Sequence, residues 1–357
     1  MNRAADYMVI NALGTLDNPN APASSEAAAK LTQSSDDLTI DARTLADAHA
    51  SGLTAVNITL GYTMGDAPPF EHTLHEIEVW DSIVADNSAD LIKVQTVADI
   101  HEARSSGRIG IIYGFQNAVA IGDDLGRIET FGRLGVRVIQ LTYNQANHIG
   151  DGSMAPENRG LTPFGRQVVE GLNASSIMVD LSHSGEQTCL EAARIAEKPV
   201  SINHTGCRAL ADLPRNKTDE ELRLVASRGG FVGIYFMPFL NISGHARAAD
   251  VIEHIDHAVN VCGADHVGIG TDGPVTSIDD LDAYRARLAE HVALRKAAGV
   301  GAAGERSDTL PFVIDLRGVN QFYELIGLLE ARGYSQDLIE KILGRNFADY
   351  AERIWAP

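Results

Sequence analysis

Polar residues follow four short apolar runs in this chain of 357 residues. They are Gln116, His183, His204 and Asp272. Neutral imidazole and carboxylate groups suit zinc and related divalent metals. If the ends of the four runs lie together, His183, His204 and Asp272 could therefore bind one such metal. The alternative for a single histidine is a structural position in a core or loop, but two histidines at equivalent run ends favour the metal.

An arginine is the second candidate for binding chemistry. Arg215 lies in the segment PRNKTD (214–219), just before a helix start. A guanidinium can hold a carboxylate through two parallel hydrogen bonds. We therefore consider Arg215 a candidate for binding a substrate carboxylate, with a surface arginine as the alternative.

Other ionisable residues are assigned structural places. His72 and His75 stand beside acidic neighbours, which predicts an exposed helix start rather than a metal site. Cys207 is close to His204 in the chain but is expected to be a small buried hydrophobe. Six further histidines are expected on solvated helices or in loops: His148, His245, His254, His257, His266 and His291.

The elements that must position these residues are predicted from apolar runs and helical periodicity. Eight runs predict strands buried on both faces, at 8–13, 54–60, 109–115, 136–141, 177–181, 199–203, 230–236 and 266–271. Helical patterns lie at 41–51, 74–87, 96–106, 125–134, 163–175, 187–197, 218–228 and 249–262, with Thr218 and Glu221 as a capping box. This alternation predicts a (β/α)8 TIM barrel, formed by 1–357 as one domain.

Three long polar segments follow predicted strands. They are 14–39, 143–161 and 272–310. In a barrel they would all lie at the C-terminal face, where catalytic groups converge. They are either surface insertions or covers over the site.

Composition limits the partners. There are 29 Lys and Arg residues against 48 Asp and Glu residues, giving a formal charge of −19. A surface this negative argues against binding to nucleic acid or to anionic membrane faces. Three cysteines form no disulfide framework and fit a reducing compartment. With no signal-peptide pattern and no apolar run of membrane-spanning length, a cytoplasmic protein is expected.

Seven stretches together resemble the membrane (renal) dipeptidase family of the amidohydrolase superfamily. The order and spacing agree from about residue 8 to residue 350. The stretches are GVRVIQLTYN (135–144), GLTPFG (160–165), VDLSH (179–183), NHTGCRAL (203–210), PRNKTD (214–219), HVGIGTD (266–272) and GRNF (344–347).

The resemblance implies a site in a distorted TIM barrel that holds two zinc ions. It implies that His183 and His204 bind the more deeply held metal and that Arg215 grips the substrate carboxylate. It also implies that Asp272 handles the proton of the attacking water, and it favours a homodimer. Asn144 and Tyr235 are further candidates for substrate binding.

Four positions depart from the family pattern. The family's first strand ends in a His-x-Asp motif, where this chain has Leu13 and Thr15. Gln116 replaces the glutamate that bridges the two metals, and a neutral amide cannot bridge two dications as a carboxylate does. Tyr143 stands where the animal enzymes have a histidine that helps to polarise the scissile carbonyl. These changes argue against a binuclear centre.

Two interpretations remain open. In the first, one divalent metal, expected to be zinc, is held by His183, His204 and the amide oxygen of Gln116. The chain is then a hydrolase of a small amide or dipeptide-like substrate bearing a carboxylate, with Asp272 and Tyr143 as catalytic residues. In the second, no metal binds tightly, and the protein is a lyase, an isomerase, another metal-free enzyme or a catalytically silent binding protein.

Overall fold

The computed structural model describes residues 6–21, 38–297, 306 and 308–355. Eight parallel strands form a nearly closed barrel in the order β1-β2-β4-β5-β6-β7-β8-β9, and a further strand, β3, pairs with β4. The strands are β1 (Val9–Gly14), β2 (Leu53–Leu60), β3 (Leu91–Val94), β4 (Ile109–Phe115), β5 (Val136–Gln140), β6 (Met178–Asp180), β7 (Ser201–Thr205), β8 (Phe231–Ile234) and β9 (Val267–Ile269). The predicted barrel is confirmed.

All eight predicted strands are present, with ends that differ by at most two residues. The additional strand β3 was not predicted. It has only four residues, two of which are half-buried, so it lacks the continuous apolar run of the barrel strands. It pairs with the first half of β4, while β5 pairs with the second half.

The eight predicted helices are present around the barrel, and four further helices that were not predicted follow them in the described part of the chain. They are α1 (Ala42–Ala50), α2 (Pro69–Asp86), α3 (Val97–Ser106), α4 (Gly126–Arg133), α5 (Pro163–Ala174), α6 (Glu186–Ile195), α7 (Asp219–Ser227), α8 (Ala248–Cys262), α9 (Leu281–Ala297), α10 (Gln321–Ala331), α11 (Gln336–Glu340) and α12 (Asn346–Trp355). The predicted capping box at the start of α7 is formed by Thr218 and Glu221. None of the helices in the described part of the chain combines the length and apolarity needed to cross a membrane.

Side chains close the barrel between its first and last strands. The Asn11 amide donates to the Thr271 hydroxyl over 2.8 Å, and its oxygen accepts the Thr271 N–H over 2.8 Å. The next backbone N–H, that of Asp272, donates to the Leu13 carbonyl over 2.9 Å. The seam therefore places Asp272 at the C-terminal mouth of the barrel.

The predicted long segments lie at the C-terminal ends of β1, β5 and β9, as expected. The segment after β5 is well ordered by the ion pair between Asp151 and Arg159, 3.0 Å long. The segment after β9 contains α9 (Leu281–Ala297), which lies over the mouth. Parts of the first and third segments, 22–37, 298–305 and 307, lie outside the described residues.

A buried ion pair anchors the loop between β7 and α7. The Lys217 ammonium lies 3.1 Å from the Glu221 carboxylate, with side-chain exposures of 2% and 0%. The same ammonium donates to the Ser184 carbonyl over 2.5 Å, which ties this loop to the end of β6. Because Glu221 also completes the capping box, one carboxylate serves both contacts.

We expect Glu221→Ala to lower the free energy of unfolding by about 3–5 kcal/mol, because it leaves the Lys217 charge buried without its counterion. Chemical denaturation measures the change. The matched control is Glu220→Ala, whose side chain is 65% exposed, and it should cost less than about 1 kcal/mol. If both variants lost the same free energy of unfolding, the buried pair would not stabilise the fold more than an exposed glutamate does.

Candidate active site

Two buried histidines lie side by side at the ends of β6 and β7. The ring centroids of His183 and His204 are 5.0 Å apart. His183 Nδ1 lies 2.8 Å from the Asn144 amide oxygen, which can only accept, so Nδ1 carries the proton and Nε2 keeps its lone pair. His183 Nε2 and both ring nitrogens of His204 have no hydrogen-bond partner among the described residues. Such unpartnered buried nitrogens are available to a ligand.

Burial and nearby cations keep both imidazoles neutral. The pKa of His183 and that of His204 lie well below the usual value, first because of burial and second because of the Arg215 guanidinium. Lys217 acts in the same direction on both. Neutral imidazole is the form that binds a metal, so the environment holds the two rings in that form.

One buried carboxylate positions the ends of β6 and β7. Asp180 Oδ1 accepts hydrogen bonds from the Ser182 N–H over 3.0 Å, the Ser182 hydroxyl over 2.5 Å and the Asn203 N–H over 3.0 Å. The Ser182 hydroxyl oxygen in turn accepts the N–H of His204 over 3.1 Å. Backbone pairing between these strands is limited to Asp180 with Ser201, so side chains provide much of the connection.

Arg215 is buried and faces the site rather than the surface. Its Nη1 donates to the Ser182 carbonyl over 2.6 Å, while its Nη2 has no partner among the described residues. The Tyr235 ring lies behind it, 5.8 Å from the guanidinium carbon, and the Tyr235 hydroxyl donates to Asn216 over 2.5 Å. Tyr235 thus supports Arg215 from behind, and Arg215 reaches the cavity.

Asp272 stands at the end of β9 in a conformation rare for a residue with a side chain. Its φ is +60°, in the left-handed region that Asp and Asn tolerate better than most residues. Burial raises its pKa to about 6, although the charges of Arg215 and Arg295 oppose that rise. A carboxyl group with this pKa can accept and return a proton near neutral pH.

Two adjoining cavities open at the mouth. The first, of about 310 Å³, is the site cavity, and Tyr143, Asn144, His183, Arg215 and Asp272 are among its lining residues. Residues after β9 add the cations Arg295 and Arg306. The second cavity, of about 510 Å³, lies at the ends of β1, β2 and β9. Asp272, Tyr284 and Pro311 line both cavities, so the carboxyl group stands where they meet.

The mouth of the barrel offers few charged metal ligands among the described residues. Within the described residues, no three His, Cys, Asp or Glu side chains are grouped so that they could hold a metal ion, so Asp272 does not complete a triad with the histidines. Leu13 is buried and offers no ligand atom, and Thr15 offers only a hydroxyl. The Gln116 amide nitrogen donates to Thr59 over 2.7 Å.

Tyr143 and Asn144 both contact His183 in the site. Tyr143 is half-buried and stacks on His183 with ring centroids 4.4 Å apart, so it lies against the imidazole and lines the site cavity. Asn144 orients His183 through the hydrogen bond described above. Cys207 is buried, as expected.

Two sequence expectations are wrong. His254 is buried, where it accepts the Cys207 N–H over 2.8 Å, because α8 turns this face toward the loop after β7. His72 and His75 lie near the start of α2 as expected, and His75 is exposed, but His72 lines the second cavity together with the buried Glu76. The sequence reasoning also missed Arg295, and no spacing signal pointed to it, since only the fold of the segment after β9 places α9 at the mouth.

A parallel barrel with imidazoles, a carboxyl group and an arginine at its C-terminal mouth defines the class of amidohydrolase-type enzymes. The family model for membrane dipeptidase (peptidase family M19) matches residues 13–290. The chain belongs to this family of hydrolases that act on C–N bonds.

Individual relatives agree with this assignment. An amidohydrolase from Pseudomonas aeruginosa is 32% identical with a TM-score of 0.80, over 99% of this chain and 98% of that one. Dipeptidase verJ from Clonostachys rogersoniana is 29% identical over 225 residues, 61% of this chain and 58% of that protein. The chain thus spans less than two thirds of that relative. A metallopeptidase from Rhodobacter sphaeroides, liganded with a phosphinate mimic of L-Ala-D-Ala, shares the fold at 21% identity with a TM-score of 0.74, over 98% and 99% of the two chains.

We expect Asn144→Leu to weaken the binding of zinc by about 10–100-fold, the usual effect of removing a hydrogen-bond partner of a metal-binding histidine. Without the amide oxygen, the His183 ring loses the contact that fixes its orientation and its proton. Competition with a chromogenic chelator measures the affinity. Asn158→Leu is a control away from the site cavity, and a loss of the same size in that variant would contradict the role of Asn144.

Proposed function

We propose that this protein is a hydrolase that cleaves the amide bond of a small, dipeptide-like substrate bearing a carboxylate, with one divalent metal, zinc, as cofactor. The observation that carries the proposal is the pair of neutral, buried imidazoles with unpartnered nitrogens beside an unpartnered guanidinium nitrogen of Arg215. Leaving such groups unpaired costs free energy, which ligands would recover.

His183 Nε2 and one nitrogen of His204 would hold the metal, with the amide oxygen of Gln116 as the third protein ligand. A bound divalent metal supplies Lewis-acid activation of water and of the scissile carbonyl. An amide oxygen carries no charge, so this site would bind the metal less tightly than one with a carboxylate.

The other groups act on the substrate and on protons. Arg215 binds the substrate carboxylate through Nη2, which fixes the scissile amide above the two histidines. Asp272 takes the proton of the attacking water and passes it to the leaving amine nitrogen. Tyr143, stacked on His183 at the cavity wall, directs its hydroxyl toward the scissile carbonyl as a hydrogen-bond donor. The phosphinate dipeptide mimic bound by the Rhodobacter metallopeptidase supports this substrate class.

A metal-free lyase or isomerase is the second candidate. The observation that favours it is the lack of a third His, Cys, Asp or Glu ligand beside His183 and His204 among the described residues. In that case Asp272, with His183 and Tyr143, would carry out the acid–base chemistry. A catalytically silent binding protein is the remaining alternative, and it predicts neither metal nor turnover.

We expect elemental analysis of the purified protein to give about one equivalent of zinc per chain. His183→Ala should abolish binding, whereas His245→Ala, an exposed histidine outside the site, should leave it unchanged. Gln116→Glu should tighten binding without raising the number of metals above one. The triple variant Leu13→His, Thr15→Asp and Gln116→Glu should bind two metals per chain. Two metals in the unmodified protein, or a metal retained in His183→Ala, would refute the ligand assignment.

We expect Asp272→Asn to lower turnover of a dipeptide substrate by about 10²-fold or more, because the amide cannot accept the proton. Asparagine tolerates the left-handed backbone at this position, so the fold should persist. In the unmodified protein, kcat/KM should fall as the pH drops below about 6, where Asp272 becomes protonated. The exposed Asp282→Asn is the control. Unchanged turnover in Asp272→Asn would assign the proton transfer to another group, with Tyr143 the next residue to test.

A further inference from the structure

The second cavity contains ionisable groups that the proposed reaction does not use. Glu76 and His72 project from α2 (Pro69–Asp86), and Asp17 lies at an exposed position after β1. The guanidinium of Arg317 also lines the cavity, where it lies over the Phe312 ring at 5.0 Å. The cavity therefore has acidic groups on the side of β1 and α2.

Glu76 is the most deeply placed of these acids. It is 7% exposed, and the Gly61 N–H donates to its Oε2. Its Oε1 lies 3.7 Å from His72 Nε2. Burial raises the pKa of Glu76 to about 7 and lowers that of His72. The imidazole is thus held neutral, and no Lys or Arg in the described part of the chain forms an ion pair with Glu76. A cationic ligand would stabilise the ionised form of a buried carboxylate that has no Lys or Arg partner.

Two further polar groups in the cavity have no partner. The Thr276 hydroxyl and the Gln321 amide nitrogen belong to residues that are 3% and 2% exposed and that line the cavity. Neither atom has a hydrogen-bond partner among the described residues. Buried polar atoms are nearly always hydrogen-bonded, so these two are available to the polar atoms of a ligand. This observation is independent of the acidic residues.

The two cavities differ in their ionisable side chains. The site cavity presents Arg215, Arg295 and Arg306, the last paired with Asp308, whereas the second cavity presents Glu76 and Asp17 against one guanidinium. The shared Asp272 lies between the two groups. A substrate whose carboxylate binds Arg215 and whose amide bond lies at Asp272 must therefore place its amino-terminal residue in the second cavity.

We propose that the second cavity binds a long basic side chain, of the lysine or arginine type, on the residue at the amino side of the scissile bond. Glu76, with His72 beside it, would bind the cationic end, and Thr276 and Gln321 would bind neighbouring polar atoms of the substrate. The walls formed by Trp80, Phe236 and Tyr284 would cover its methylene groups. The assignment of the amino side rests on the proposed function.

The test compares the dipeptides Lys-Ala and norleucyl-Ala, whose side chains differ only by the terminal ammonium. Binding is measured by titration calorimetry at pH 8, where Glu76 is ionised, and hydrolysis is measured separately. We expect Lys-Ala to bind about 10-fold more tightly than norleucyl-Ala. Glu76→Gln should remove this preference, because Gln keeps an acceptor for the Gly61 N–H but loses the charge. The matched control is Glu78→Gln on the same helix, where the side chain is 81% exposed.

The outcomes separate this proposal from the proposed function. Equal binding of the two dipeptides, or a lysine preference that survives Glu76→Gln, would overturn the subsite even if both are hydrolysed. A Glu76-dependent lysine preference without any hydrolysis would support the subsite and overturn the hydrolase. Absence of both binding and hydrolysis would overturn both. If Glu76→Gln does not fold, the binding of Lys-Ala and norleucyl-Ala to the unmodified protein still tests the preference for a basic side chain.

Discussion

The hydrogen bonds accepted by the buried Asp180 carboxylate are the interaction on which the active site depends. The ladder between β6 and β7 has one residue pair, so the two strand ends need another connection. Asp180 supplies it by holding the Ser182 hydroxyl and the Asn203 N–H at once. Ser182 then accepts the N–H of His204 and, through its carbonyl, a hydrogen bond from Arg215. Both imidazoles and the guanidinium are therefore positioned through one carboxylate.

The same arrangement leaves the atoms that face the cavity unpartnered. His183 Nε2, the ring nitrogens of His204 and Arg215 Nη2 are buried and have no hydrogen-bond partner in the described part of the chain. The protein holds them in place through their other atoms, such as His183 Nδ1 on Asn144. Such preorganisation is costly for the folded state, and ligand binding recovers the cost. The buried pair of Lys217 and Glu221 stabilises the loop that carries Arg215.

The charge distribution at the mouth distinguishes this chain from a binuclear dipeptidase. An amide at Gln116, an apolar Leu13 and a hydroxyl at Thr15 remove the negative charge that two dications would require. The cations Arg215, Arg295 and Arg306 remain on one side, and Glu76 with Asp17 stand on the other. Two cavities thus meet at Asp272, and the proposal of one metal and a zwitterionic substrate rests on this distribution of charged groups.

The amino-acid sequence was enough to predict the barrel, because strands buried on both faces are continuous apolar runs, and the polar residues that follow them lie at its C-terminal mouth. It also determined the departures at Leu13, Thr15 and Gln116, since ligand chemistry is a property of residue type. Tertiary structure alone decided how these groups meet. The φ of Asp272, the hydrogen bond from His183 to Asn144 and the burial of Arg215 depend on contacts between segments far apart in the chain. Local periodicity carries no information about such contacts, which is why the cavity face of α2, with His72 and Glu76, could not be predicted.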